Sequence, residues 1–214
     1  MSGTPSQSRT PRVLIGMTDC DVIQRAANLI HSSIKKFRLN QENLKPQYSI
    51  QVGGGSGVAF MELLRPYMGQ RRQDQIDRAI ACYAITTAYP HRQFTIIETP
   101  SDEYERYWLA GYLEGEACFL MKRVTKACKD YFYPCVEVNS TDLDVIEHVQ
   151  HLWQSRYGVQ ANIKSRQPSY EGSKTVYRIA VVSQKAQTIM ADMYPLMGFR
   201  RQAKMQSLLA GQVG

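Results

Sequence analysis

The sequence predicts an α+β fold of two αββαββα-type repeats, each an antiparallel sheet with helices on one face. The first repeat is truncated. Three observations carry this. One is internal repetition: "TDCDVI" at Thr18–Ile23 returns as "TDLDVI" at Thr141–Ile146, 141 − 18 = 123 positions later. "PYMGQRRQ" at Pro66–Gln73 returns as "PLMGFRRQ" at Pro195–Gln202, 195 − 66 = 129 positions later. The order is kept, and one insertion in a loop accounts for the unequal offsets. Another is the succession of period-two and period-3.6 segments, the same in both copies. The last is size: 214 residues, 43% of them hydrophobic, can bury a real core.

The second repeat is the clearer. Tyr107–Leu113 reads as a helix with small residues on one face. "ACFLMKRV" (Ala117–Val124) and "YPCVEVNS" (Tyr133–Ser140) alternate as paired strands. Thr141 or Asp142 can cap the next helix, which carries Val145, Ile146, Val149, Leu152 and Trp153 on one face and stops at Gly158. "VQANIKSRQ" and "KTVYRIAVVS" form a hairpin around "PSYEGS". "QKAQTIMADMYPLMG" is a helix broken near Pro195 and Gly198, and "RRQAKMQSLLAG" closes the repeat.

In the first repeat "RVLIGMT" is a strand, "CDVIQRAANLIHSSIKKF" a helix and "YSIQVGG" a strand. "GVAFMELLRPYMG" and "RRQDQIDRAIACYAIT" are helices. "GGGSG" (Gly53–Gly57) lacks the Lys-Ser/Thr that completes a phosphate-binding loop and eases a strand-to-helix turn instead. The expected divisions are a flexible segment 1–11, a first half 12–88, a linker 89–105 and a second half 106–214.

Composition narrows the function. The net charge of +7 and pI near 9.2 favour a polyanionic partner, nucleic acid first. No apolar run is long enough to span a membrane. Five cysteines without a CxxC pair, and no secretory signal, suggest free thiols in a reducing intracellular compartment, cytoplasm or organelle matrix. His148 and His151 form an HxxH without further ligands at zinc spacing and read as solvated helix residues.

The stretch "LAGYLEGEACF" (Leu109–Phe119), with the strand order and the basic segment "GFRRQAKMQSLLAGQ", resembles the LAGLIDADG homing endonuclease family. The resemblance covers the second repeat and most of the first. It implies saddle-shaped sheets that bind DNA and two motif helices packed face to face. Here those helices would meet through Leu109, Ala110, Gly111 and Leu113. It implies that Glu116 is the catalytic, metal-holding acid and that Glu114 lies nearer the helix packing. Mg²⁺ is the expected cofactor, with Mn²⁺ able to substitute. Arg201 or Arg200 would polarise the scissile phosphate or order water. The expected activity is site-specific hydrolysis of double-stranded DNA.

The motif occurs once. Subtracting 123 from Leu109 places the first repeat's motif before Met1. Three readings stay open: two chains pair through their motif helices, a separate polypeptide supplies the missing helix, or cleavage is lost. In the last case a nucleic-acid binder remains, an RNA-splicing maturase or a regulator, and structured intron RNA becomes the alternative partner.

A sheet that reads DNA needs long polar side chains at period two. The candidates are Lys122, Arg123 and Lys126 on the first strand and Lys164, Arg166, Gln167 and Lys174 on the hairpin. Tyr177 and Arg178 follow on the last strand, Lys204 after it, and Arg71 and Arg72 in the first repeat. Lys122 shares parity with Lys126 and opposes Arg123. Tyr177 opposes Arg178.

Overall fold

The computed structural model describes residues 10–37, 45–81, 94, 101–167, 170 and 172–210, without the side chains of Phe37, Ser101 and Lys126. The chain divides into two compact units, Met1–Ile97 and Glu98–Gly214.

Unit 1 runs β1 (Arg12–Met17), α1 (Cys20–Leu29), β2 (Lys35–Phe37), β3 (Gln47–Gly53), α2 (Gly54–Leu64), a 3-10 turn (Arg65–Tyr67) and α3 (Gln70–Ala81). Its antiparallel sheet has the order β1-β3-β2. Ile23, Ala27 and Ile30 of α1 and its C-terminal side pack on Ile50, Val52 and Phe60, and Phe94 stacks obliquely on Phe60 at 5.0 Å. The helix expected over Cys20–Phe37 ends at Leu29, and Lys35–Phe37 is a strand paired with Gln47–Ser49. Three residues are too few to show a period, so the apolar spacing of α1 ran on through them.

Unit 2 runs α4 (Ser101–Glu116), β4 (Ala117–Lys126), β5 (Lys129–Ser140), α5 (Leu143–Tyr157), β6 (Lys164–Arg166), β7 (Val176–Val182), α6 (Ser183–Met193), a 3-10 turn (Tyr194–Leu196) and α7 (Phe199–Ala210). The order β4-β5-β7-β6 is antiparallel throughout. Its core joins Leu109 and Leu113 of α4, Val136, Val138, Ile179 and Val181 of the sheet, and Ile146, Trp153, Ile189 and Met205 of the other helices. Residues 101–105 of the expected linker are the first turn of α4; the rest of that linker, Phe94 apart, lies outside the described residues.

The two units repeat register for register. Arg12 opposes Gly53 as Cys135 opposes Val182, and Lys35 opposes Ser49 as Lys164 opposes Arg178. The change of offset falls between α1 and β2. It is mostly helical rather than a loop insertion: α5 has 15 residues where α1 has 10. Among the described residues, unit 1 holds no counterpart of α4 and β4.

Two strand-to-helix junctions need a left-handed residue. Unit 1 uses Gly54 (φ 64°), as the glycine run suggests, whereas unit 2 uses Ser183 (φ 66°). Gly57 is closely packed: a Cβ there would lie 3.0 Å from the Val52 carbonyl oxygen.

The β4–β5 hairpin is longer than its alternation indicates. It closes on a two-residue turn at Ala127 and Cys128, both with positive φ, as a tight primed turn requires. Its outer rungs are held by polar groups: the Asp130 carboxylate accepts from Arg123 at 2.6 Å and from the Thr125 hydroxyl at 2.7 Å. Arg123 thereby holds the Asp130 carboxyl below the usual carboxylate range. With both faces of the tip in water, no apolar period marks those rungs. Residues 159–163, expected as strand, are instead pinned by Gln150, whose side chain donates to the Ala161 carbonyl at 2.6 Å.

Candidate functional site

α4 sets its two motif acids at its C-terminal end, with opposite surroundings. A carboxylate there meets the negative end of the helix dipole, and the last turn of α4 has no basic residue to offset it. Glu114 is buried and solves this with α7. The N–H of Gly198 donates to its Oε2 at 2.6 Å, and the carbonyl of Gly198 accepts the first helical hydrogen bond of α7 from Gln202. The carboxylate therefore lies against the positive end of α7. Arg201 completes the joint. It donates to the carbonyls of Ala117 (2.6 Å) and Glu114 (3.0 Å), its Nε faces Glu114 Oε1 at 3.8 Å, and it lies over the Phe119 ring.

Glu116, the last residue of α4, is exposed and has no hydrogen bond or ion pair among the described residues. Its charge also reaches Tyr112, whose hydroxyl pKa is raised, by burial above all.

The remaining candidates sort by strand parity. Ala117, Phe119 and Met121 of β4 face the core, so Cys118, Leu120 and Lys122 face the other side of the sheet. By register that face continues through Tyr133, Glu137 and Asn139 of β5 and Arg178 of β7 to Lys164 and Arg166 of β6. A groove on it is lined by Lys164, Arg166, Gln167, Lys174 and Arg178, together with Glu137, Asn139 and Tyr170. Five of the sequence candidates thus come together. Arg178 is held by an ion pair with Glu137, which also accepts from Asn139. Lys122 is exposed on the same face.

Others lie elsewhere. Tyr177 packs against the core, as its parity opposite Arg178 requires, and so does not join the groove. Arg123 shares the parity of Phe119 and is tied to Asp130. Lys204 and Arg200 are exposed on α7, and the side chain of Lys126 is outside the described residues. In unit 1, Arg72 is exposed and Arg71 half-buried, both on α3.

Glu137, Asn139 and the stacked pair Tyr131–Tyr133, with ring centroids 6.5 Å apart, were missed on this face. The parity of β5 was the available signal for all four.

The expected helix interface also changes. Leu109 and Leu113 are fully buried in the unit's own core, and Ala110 is buried with them. The exposed stripe of α4 is Tyr107, Gly111 and Gly115, and a Cβ at either glycine would meet nothing within 4 Å. His148 is not solvated. It meets the Trp108 ring edge-on at 4.4 Å, and burial holds its pKa below 6.5, whereas His151 is exposed as expected.

A second polar joint fixes the start of α4. Asp192 at the end of α6 accepts from Arg106 (3.0 Å) and from the Tyr157 hydroxyl (2.7 Å). Arg156 donates to the Asp102 carbonyl at 2.9 Å. α4 is thus clamped at both ends, which fixes where Glu116 projects.

Residues 103–192 match the family model described as a LAGLIDADG-like domain. No curated protein sequence matches the chain. Among solved structures, the chain superposes on the I-LtrWI LAGLIDADG homing endonuclease bound to target DNA with a TM-score of 0.61 at 12% identity, covering 94% of this chain and 78% of that one. For the LAGLIDADG meganuclease I-AabMI bound to uncleaved DNA the values are 0.57, 12%, 93% and 80%. For the LAGLIDADG homing endonuclease I-GzeII in complex with its DNA target they are 0.50, 11%, 98% and 85%. Residues 103–192 therefore form a LAGLIDADG-like domain, and the chain has the LAGLIDADG homing endonuclease fold.

Proposed function

We propose that this chain is a site-specific, metal-dependent endonuclease that cuts double-stranded DNA, with Glu116 as its metal-holding acid. The observation that carries this reading is the contrast between the two motif acids. Glu114 is consumed by the fold, whereas Glu116 stands exposed at a helix end whose carbonyls add to its negative potential. A hard oxygen donor in such a field suits Mg²⁺, with Mn²⁺ as substitute. Such an ion lowers the pKa of a bound water and stabilises charge on the scissile phosphate.

Glu116 fits as one ligand of the site. Among the described residues no group of three or more His, Cys, Asp or Glu could hold a metal alone. The remaining ligands would be water, phosphate oxygens and an acid from another motif helix, of a second copy or a second polypeptide. The exposed Gly111 and Gly115 suit such a helix, because bulk at those positions would hold two backbones apart.

The basic groove of unit 2 would receive the duplex. Lys164 and Lys174 would neutralise phosphate, while Arg166 and Gln167 carry the donor patterns that read guanine and adenine edges. Arg201 acts as a positioning residue: its guanidinium holds the carbonyl end of α4 and so aims Glu116.

The test is Glu116→Gln assayed on DNA carrying a cleavable site with Mg²⁺ or Mn²⁺. Wild type should nick or cut, and the variant should bind equally well without cutting. Tight binding by wild type with no cleavage in either metal would sink the enzyme reading and leave a nucleic-acid-binding protein.

A further inference from the structure

The β4–β5 hairpin continues past the rest of its sheet. β7 pairs with β5 from Cys135 onward, so among the described residues 129–134 pair with β4 alone and form a two-stranded ribbon. The ribbon's two faces differ in chemistry. The face that shares the parity of Phe119 holds Arg123, Thr125, Asp130 and Phe132. The other bears Lys122 and Val124 of β4 across from Tyr133 and Tyr131 of β5, with Lys129 beyond them. That second face is the one that lines the basic groove through Glu137 and Asn139.

Tyr131 is exposed and Tyr133 half-buried, and neither packs against the hydrophobic core. Neither hydroxyl makes a hydrogen bond among the described residues. Lys122 and Lys129 are exposed and form no ion pair among the described residues. The two tyrosine rings are near-parallel, 14° apart, with centroids separated by 6.5 Å. The spacing follows from the strand: alternate residues share a face and stand roughly 2 × 3.3 Å apart. Bases in a stack lie roughly 3.4 Å apart, so rings at this spacing leave the thickness of one further flat ring between them. Phe132, which separates them in sequence, has the opposite parity and lies across from Arg123, so it does not enter that space.

We propose that Tyr131 and Tyr133 clasp an unpaired nucleobase of a DNA strand, with Lys122 and Lys129 on the phosphates to either side. Every base offers a π-face, so such a slot accepts bases without regard to sequence. A base inside a duplex has both faces covered by its neighbours and must first be drawn out, whereas a looped-out base enters at the least cost. The ribbon thus adds a contact selective for DNA structure beside a groove whose Arg and Gln side chains suit paired base edges. The proposal rests on the reading that this face takes DNA and is independent of cleavage at Glu116.

The probes are two short DNA duplexes of the same random sequence. One is fully paired; the other has one extra adenine, replaced by a fluorescent purine analogue, looped out of one strand. Each is titrated with the full chain at low salt without divalent metal. The looped-out duplex should bind about tenfold more tightly, as one base–aromatic stack implies, and its analogue should be quenched on binding. Tyr131→Leu and Tyr133→Leu change residues outside the core. Each should remove most of the preference and of the quenching while leaving affinity for the paired duplex unchanged. Tyr131→Phe and Tyr133→Phe keep the rings and should retain both signals. Lys129→Ala should weaken both duplexes alike. Equal affinity of wild type for the two probes, absence of quenching, or Leu variants that behave like the Phe variants would overturn the proposal and leave the DNA reading standing. Binding of neither probe would overturn both.

Discussion

Replacing Glu114 with Gln tests whether the joint between α4 and α7 is a structural element rather than part of the chemistry. Gln keeps an acceptor for the Gly198 N–H but removes the charge opposite Arg201. The Arg201 side chain is 13% exposed, so its guanidinium loses the Glu114 charge in a largely dry place. Removing one member of a buried pair costs roughly 3–5 kcal/mol. Arg201 keeps the Ala117 and Glu114 carbonyls, which brings the loss below that range, to about 2–3 kcal/mol. For a chain of this size that is a fall in Tm of on the order of 8 °C. The assay is urea or thermal unfolding followed by tryptophan fluorescence. Both tryptophans of the chain, Trp108 and Trp153, lie in unit 2, so the signal reports the unit in question. Arg201→Met should cost a similar amount, and the double variant clearly less than the sum. Glu116→Gln should change stability by less than about 0.5 kcal/mol, in the stabilising direction, because it removes charge from a helix C-terminus. Glu114→Gln within 0.5 kcal/mol of wild type, or additive single variants, would refute the joint.

Three further outcomes follow from the geometry. Ser183→Gly relieves a left-handed serine where unit 1 already has Gly54, and should raise stability by about 0.5–1 kcal/mol in the same unfolding assay. Burial lowers the pKa of His148 in the folded state, while the unfolded chain takes up the proton near 6.5. Stability should therefore be full above that value and fall as the pH drops below it. His148→Phe, which keeps an aromatic edge on Trp108, should flatten that part of the profile between pH 7.5 and 5.5. Lys164→Ala with Arg166→Ala removes two cations of the groove and should lower the slope of log affinity against log salt by about two, measured by DNA binding at several salt concentrations.

The fold was legible wherever one face of an element is dry. The period in α5 named Ile146, Val149, Leu152 and Trp153, and all four are buried. The repeat anchors carried the rest, since matching Thr18 to Thr141 and Pro66 to Pro195 also matches the registers of both sheets. What failed was short or wet: β2, with three residues, and the tip of the β4–β5 hairpin, whose rungs are polar. Around α4, the spacing of Leu109 and Leu113 could not say which side of the helix is the core. Only packing separates them from Gly111 and Gly115, which are open. Parity alone placed Arg178 and Tyr177 on opposite faces, but the ion pair that holds Arg178 needs Glu137 from the neighbouring strand.

The two acids of the "LEGEA" turn differ in what they can lose. Folding ties up Glu114, through Gly198 and Arg201, but not Glu116, which makes no hydrogen bond or ion pair among the described residues. On the proposed reading, a single substitution at position 116 removes the metal-holding acid while leaving a stable protein with an intact groove. On that reading the step between cutting a target and only occupying it crosses no folding barrier in either direction, because the joint that holds α4 does not involve Glu116.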